Sequence, residues 1–164
     1  MELWDAYNAD GTIAGFDLIR GEQILSGYFH MVCEAIIQHV DGDYLLMQRS
    51  YEKDIYPGKW EIGAGGSALK GESNVEAVRR EIKEETGIDT GELEEIYRII
   101  HQKNQSIYYG YLLKTACDKE AIQLQENETI AYQWISQNEL FEFYDNQCSP
   151  TLKERLKDYI ESIR

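Results

Sequence analysis

The chain has 164 residues, 43% of them hydrophobic and 28% charged, with a formal net charge of −14. That length supports one well-packed core and is short for two ordinary domains, so a single domain over residues 1–164 is expected. The acidity excludes a long surface tracking a nucleic acid polymer, which needs Lys and Arg to displace counterions, and leaves phosphate chemistry open only through bound cations.

Leu3, Trp4 and Tyr7, the turn Asn8-Ala9-Asp10-Gly11 and the run Ile13 to Ile19 predict an N-terminal β-hairpin extension within residues 1–27, or equally a loosely attached arm. There is no basic region followed by an apolar run here, and no stretch approaches ~18 uninterrupted apolar residues, so no membrane partner is expected. Tyr28 to Val40 is rich in β-branched and aromatic residues and predicts a strand. Asp41-Gly42-Asp43 then turns the chain into a second strand, Tyr44 to Arg49. Tyr51 to Gly58 is a polar loop with Pro57, followed by a short strand candidate at Lys59 to Ile62. Gly63, Gly65, Gly66 and Gly71 predict a glycine-rich loop whose backbone a ligand can approach closely.

Ser73 and Glu76 form a capping-box pattern and Gly87 a C-terminal stop, so a helix is predicted over Asn74 to Thr86. Strands are expected at Leu93 to His101, Ser106 to Cys117 and Thr129 to Ile135, and short helices at Gln137 to Tyr144 and from Ser149-Pro150 onward. Tyr109 and Tyr111 alternate against Tyr108, and aromatic strands of this kind serve a core or a homodimer surface. Strands and helices mix without regular alternation, which favours an α+β sandwich with a mixed sheet. Cys33, Cys117 and Cys148 are odd in number and widely spaced, which predicts reduced thiols, no disulfide and a cytoplasmic setting.

At roughly 100° per residue, Glu81, Glu84 and Glu85 fall within one arc of the predicted helix, with Val75, Val78 and Ile82 beside that arc and Glu76, Arg79 and Lys83 turned outward. Three carboxylates placed beside a core repel one another unless a cation joins them. A cluster without a His or Cys set selects a hard, oxygen-loving ion, Mg2+ or Mn2+. His30, His39 and His101 are dispersed, and His30 reads as ordinary packing beside a strand.

Gly66, Glu72, Arg80-Glu81-Ile82, Glu84-Glu85 and Gly87-Ile88 stand at the spacing Gly, five residues, Glu, seven residues, Arg-Glu-apolar-any-Glu-Glu-any-Gly-apolar. This segment, residues 66–88, resembles a complete Nudix box. The resemblance implies an α/β/α sandwich and hydrolysis of a diphosphate linkage in a nucleoside diphosphate derivative or related small molecule. It further implies that Glu84 and Glu85 are the principal metal ligands, with Glu81 as a further ligand or general base and the Gly66 carbonyl beside them. Arg80 is implied to orient the carboxylates, and Glu72 to anchor the loop or bind metal through water. A late acidic ligand is expected at Glu128, with Glu126 the alternative and an ordinary loop carboxylate an equal reading. Arg49, Trp60 and Glu72 are expected on the substrate side.

Asp54 to Glu61, following Leu45 to Ser50, resembles the subgroup related to isopentenyl diphosphate isomerase. That family's isomerisation uses a Cys after the Trp and several metal-binding His, whereas Glu61-Ile62-Gly63-Ala64-Gly65 has no Cys. Hydrolysis is therefore the expected chemistry. An isomerase-like enzyme and a non-catalytic binding module are the alternatives.

Overall fold

The computed structural model describes residues 1–164. β1 (Leu3–Tyr7) and β2 (Ile13–Ile19) pair antiparallel, Leu3 opposite Ile19. Their turn is fastened by Asp10, whose carboxylate accepts from the Thr12 amide at 2.9 Å and the Thr12 hydroxyl at 2.6 Å. This hairpin is docked rather than a loose arm: Tyr7 is buried and bridges Phe29, and the Trp4 ring stacks on His30 at 4.5 Å.

A seven-stranded sheet follows, built from β3 (His30–His39), β4 (Tyr44–Arg49), β5 (Trp60–Ile62), β6 (Ala64–Ser67), β7 (Glu92–His101), β8 (Ser106–Thr115) and β9 (Thr129–Ile135). The central path is β5-β4-β3-β8-β7, with β9 also on β4 and β6 also on β3. β3 and β8 are parallel along ten residues and the other pairs are antiparallel, so the sheet is mixed. β3 meets β4 only at Gln38 and Tyr44, and beyond that its partner is β6, so β3 and β4 splay apart toward one end.

Gly63 makes this splaying possible. The chain leaves β5, beside β4, and enters β6, beside β3, through a left-handed Gly63 (φ +69), where an added Cβ would lie 1.7 Å from the Ala35 carbonyl oxygen. The glycine-rich stretch is accordingly not one loop. Gly65 and Gly66 belong to β6, opposite Glu34 and Cys33 of β3, and the loop begins only after Ser67.

α1 (Asn74–Thr86) has both halves of the capping box and ends on left-handed Gly87, which confirms the range read from the sequence. Its buried residues Ala77, Val78 and Ile82 close a core with Cys33, Ala35, Ile37, Leu45, Met47, Tyr111 and Leu113 on one face of the sheet. Val75 is not part of it: in the first turn it remains 43% exposed, and the small Ala77 packs inward instead. α2 (Gln137–Asn146) and α3 (Pro150–Ile163) cover the opposite face, where Ile36, Tyr44, Leu46, Leu112, Leu140, Phe143, Leu156 and Ile160 form a second core. α2 runs two residues past the Tyr144 expected from sequence, because the Gln147 and Cys148 amides both fold back onto the Phe143 carbonyl. Helix, sheet and helices thus form an α/β/α sandwich. Tyr111 and Tyr109 lie on the first face, and Tyr108 lies on the second beneath Arg155. No helix is long and apolar enough to cross a membrane.

Candidate active site

The splayed end of the sheet opens a cleft of about 370 Å³. From α1 it receives Arg80, Glu81, Glu84 and Glu85, from β6 Gly65 and Gly66, from β4 Arg49, and from β5 Glu61. Glu128 and Lys53 come from the flanking loops. Arg80, Glu81, Glu84, Glu85 and Gly66, which the spacing grouped, therefore line one cleft, and Glu128 and Arg49, which no spacing tied to them, line it too.

Arg80 organises the α1 carboxylates. Its Nε and Nη2 donate to the two oxygens of Glu72 at 2.6 and 3.0 Å, its Nη1 donates to Glu81 at 2.8 Å and to Glu84 at 3.2 Å, and Nη2 also reaches the Ser67 carbonyl at 3.1 Å. A guanidinium has a fixed fork of donors, so one side chain can set several oxygens at once. Glu72 is committed on its other side to the Leu69 amide at 2.8 Å. Burial works to raise the Glu72 carboxyl, but the Arg80 fork and the Leu69 amide outweigh it and hold Glu72 below the usual carboxylate range. Glu72 stands behind Arg80 and does not line the cleft, and its hydrogen bonds tie the loop after β6 to α1.

Gly66 is required by contact. A Cβ there would stand 2.5 Å from Glu81 Oε1, so only a glycine lets the β6 backbone lie directly against this carboxylate. Burial raises Glu81 above the usual range against the pull of Arg80. Glu85 is raised well above it, first by burial and then by the charges of Glu81, Glu61 and Glu128, with the Gly65 amide acting the other way. Set on a wheel, Glu81 and Glu85 fall at roughly 0° and +40°, inside the buried arc running from Ala77 to Ile82, whereas Glu84 falls near −60° at its margin. In agreement, the Glu81 side chain is 13% exposed and that of Glu84 45%.

The donor chemistry fits a hard divalent cation. Carboxylates converge on a polar cleft beside the β6 backbone, and Glu85 lacks the positive charge that would let it ionise freely. The side chains are not drawn into one closed ligand sphere: no three His, Cys, Asp or Glu stand close enough for that, and Arg80 grips Glu81 and Glu84 itself. Such an open set suits an ion that takes one or two carboxylates and keeps the rest of its sphere for water and phosphate oxygens.

Glu61 was not singled out by sequence. It is raised by burial, offset by Arg49, although its side chain keeps 41% of its surface open to the cleft. Arg49 Nη1 reaches Glu61 at 3.2 Å and its Nε donates to the Ile55 carbonyl at 2.9 Å. The available signal was a lone carboxylate between Trp60 and Ile62 in a strand. Lys53 pairs with Glu128, and Arg20 and Glu2, from the hairpin's ends, form the outer rim. Trp60 is not in this cleft: it packs against the second core and lines a separate pocket with Phe143, Cys148 and Leu152, because neighbours in a strand face opposite ways and Glu61 takes the cleft side.

The family model described as NUDIX domain matches residues 30–156, beginning where β3 begins. An uncharacterized Nudix hydrolase of Listeria monocytogenes is 40% identical over 88 residues, 54% of this chain and 52% of that protein. The nucleoside triphosphatase NudI of Escherichia coli is 46% identical over 57 residues, 35% of this chain and 38% of that protein. The chain thus spans about half the length, or less, of these curated relatives. A crystal structure from Deinococcus radiodurans superposes with a TM-score of 0.74 at 20% identity, covering 93% of this chain and 96% of that one, which establishes the likeness of fold.

Proposed function

This chain belongs to the Nudix family, and on that premise we propose that it is a divalent-metal-dependent hydrolase cleaving the diphosphate linkage of a small phosphorylated molecule. The observation that carries the proposal is the convergence of Glu81, Glu84 and Glu85 with the β6 backbone at Gly66 in one cleft, under the control of Arg80.

Glu84, Glu85 and Glu81, with the Gly66 carbonyl and Glu128, would hold Mg2+, for which Mn2+ could substitute, and the ion when bound would offset charge on the phosphate oxygens and lower the pKa of a water molecule. Glu81 accepts the proton of the attacking water. Its raised affinity for a proton and its fixed hydrogen bond to Arg80 suit a base that must be both proton-hungry and held in place. Attack forms a new P–O bond and breaks the bond from that phosphorus to the bridging oxygen, which leaves on the second phosphate. Arg49 and Lys53 face the non-bridging oxygens, and Arg80 positions the carboxylates.

We also assign the chain to the subgroup related to isopentenyl diphosphate isomerase, on the docked hairpin and the Asp54 to Glu61 segment. Its chemistry is hydrolysis. Isomerisation needs an acid–base pair at carbon, and the cleft holds neither Cys nor His.

The test is a panel of nucleoside di- and triphosphates, nucleotide sugars, dinucleoside polyphosphates and isoprenoid diphosphates, incubated with Mg2+ or Mn2+. Release of phosphorylated fragments that stops on chelation is expected. Silence across the panel, with tight metal-dependent ligand binding, would make the chain a non-catalytic module.

A further inference from the structure

The central path of the sheet ends at β7, which pairs with β8 on one side and with no strand on the other. β8, whose tyrosines pointed to a core or a homodimer surface, lies inside the sheet, so association through a strand falls to β7. None of its backbone groups bonds to a backbone group outside the ladder with β8. Natural edge strands are commonly blunted by being short or by carrying lysine or proline. β7 is ten residues long, contains neither, and leaves Leu93, Ile96, Ile99 and Ile100 only half buried.

Its one irregularity is a bulge. Glu95 stands opposite Tyr111 and Tyr97 opposite Gly110, so Ile96 is an extra residue and shifts the alternation of faces by one. Before it, Leu93 and Glu95 lie opposite Leu113 and Tyr111 on the first face of the sheet. Beyond it, Arg98 and Ile100 return to that face, opposite Tyr109 and Ile107. Along this face the strand therefore reads apolar, acidic, basic, apolar, an order that complements itself when reversed. A bulge ordinarily spoils an edge for pairing, but this one is central, with four residues on either side of the Ile96–Tyr97 step.

Glu95 and Arg98 are both exposed, and neither is ion-paired within its own chain. Arg98 reaches only the Ala9 carbonyl, at 3.2 Å, and lies 5.7 Å over the Tyr109 ring. A second copy laid antiparallel along β7, with a two-fold axis between Ile96 and Tyr97, sets Glu95 opposite the partner's Arg98 and Leu93 opposite the partner's Ile100. On the other face Ile96 meets Tyr97, Glu94 meets Ile99 and Glu92 meets His101. This register keeps the two faces in step along the whole strand. A parallel pairing in register would instead lay each glutamate against its own copy, and like charges directly opposite one another weaken a strand pair.

We propose that β7 is the surface through which two copies of this chain join, their sheets continuing into one by antiparallel pairing that sets Glu95 against Arg98. The two-fold axis makes each contact occur twice. The carboxylate cleft takes no residue from β7 or β8, so the interface is separate from it and the inference does not depend on the hydrolase reading.

The experiment follows mass against concentration by light scattering or sedimentation, from about 1 to about 100 μM chain. It compares the full chain, Glu95→Arg, Arg98→Glu and the variant carrying both, each checked for folding by thermal unfolding. The unaltered chain should approach twice the mass of one copy. Each single variant sets like charges against each other at two places and should weaken association at least ~10-fold. An equimolar mixture of the two single variants, one chain bringing two arginines and its partner two glutamates, should associate as the unaltered chain does, and so should the double variant with itself. If one single variant does not fold, the other and the double variant give the same comparison. A monomer at every concentration, a dimer that neither single variant weakens, or a loss that neither mixing nor the double variant restores overturns the inference.

Discussion

Arg80 and Glu72 are joined by two parallel hydrogen bonds, 2.6 Å from Nε and 3.0 Å from Nη2, eight residues apart in sequence. The fork ties the loop after β6 to α1, and it leaves Nη1 free to aim Glu81 and Glu84. Lysine keeps the charge and loses the fork. Arg80→Lys should therefore lower Mg2+-dependent kcat/KM by ~10–100-fold, the usual cost of disturbing groups that orient metal ligands. Glu72→Gln should lose as much. In a double-mutant cycle the two losses should fall well short of additive, whereas full additivity would deny that the pair acts as a unit.

Two glycines separate fold from chemistry. Gly66→Ala places a methyl group 2.5 Å from the Glu81 carboxylate, a side-chain neighbour that can shift. Activity should fall ~10-fold or more while the melting temperature changes little. Gly63→Ala meets the Ala35 backbone at 1.7 Å in a left-handed conformation, where nothing can yield. It should cost about 3 kcal/mol or more in unfolding measurements. Equal damage from both substitutions would contradict the distinction.

His30 couples the hairpin to acid stability. Its ring stacks on Trp4, and burial lowers its pKa from 6.5 to about 4. A lowered folded-state value means that the unfolded chain binds the proton first. Stability from this group is therefore complete above about pH 6.5 and is lost as pH falls toward 4. The loss should reach at most about 3 kcal/mol, and His30→Gln should flatten the pH dependence of urea unfolding in that window. An unchanged slope in the variant would remove His30 as its source.

The sequence made α1 legible to the residue, because a capping box, a glycine stop and a carboxylate arc are all local signals. The hairpin was also legible, though not its docking, which depends on Trp4 meeting a histidine 26 positions later. Less legible was anything decided by pairing. Gly65 and Gly66 looked like loop because a strand's partner is not written in its own residues, and Glu61 rather than the expected Trp60 lines the cleft because only the β4 register says which of the two faces it. Glu34 and Arg155 are 121 residues apart. One is the single carboxylate of β3 and the other stands on the apolar stripe of a helix, marks that become meaningful only as the ion pair they form.

Glu85 carries the repulsion of Glu81, Glu61 and Glu128 in a half-buried position. Its proton affinity is raised in the fold, so its ionisation opposes folding as pH rises through the ordinary carboxylate range. Without metal, Glu85→Gln should therefore melt higher than the unaltered chain at neutral pH. With millimolar Mg2+ it should lose most of the stabilisation that the ion gives the unaltered chain. A variant less stable without metal and equally stabilised by it would show that Glu85 is not held against neighbouring charge and binds no ion.

The most direct test of the central claim is Mg2+-dependent turnover by Glu84→Gln, measured on the best substrate of the panel beside its thermal unfolding. Glu84 is the most exposed of the three α1 carboxylates in the cleft and contributes nothing to either core, so its amide should leave the melting temperature within about 2 °C of the unaltered value. Turnover should nevertheless fall by ~10²–10³-fold. Near-normal activity in a folded Glu84→Gln protein would contradict the assignment of these carboxylates to a metal-dependent hydrolytic site.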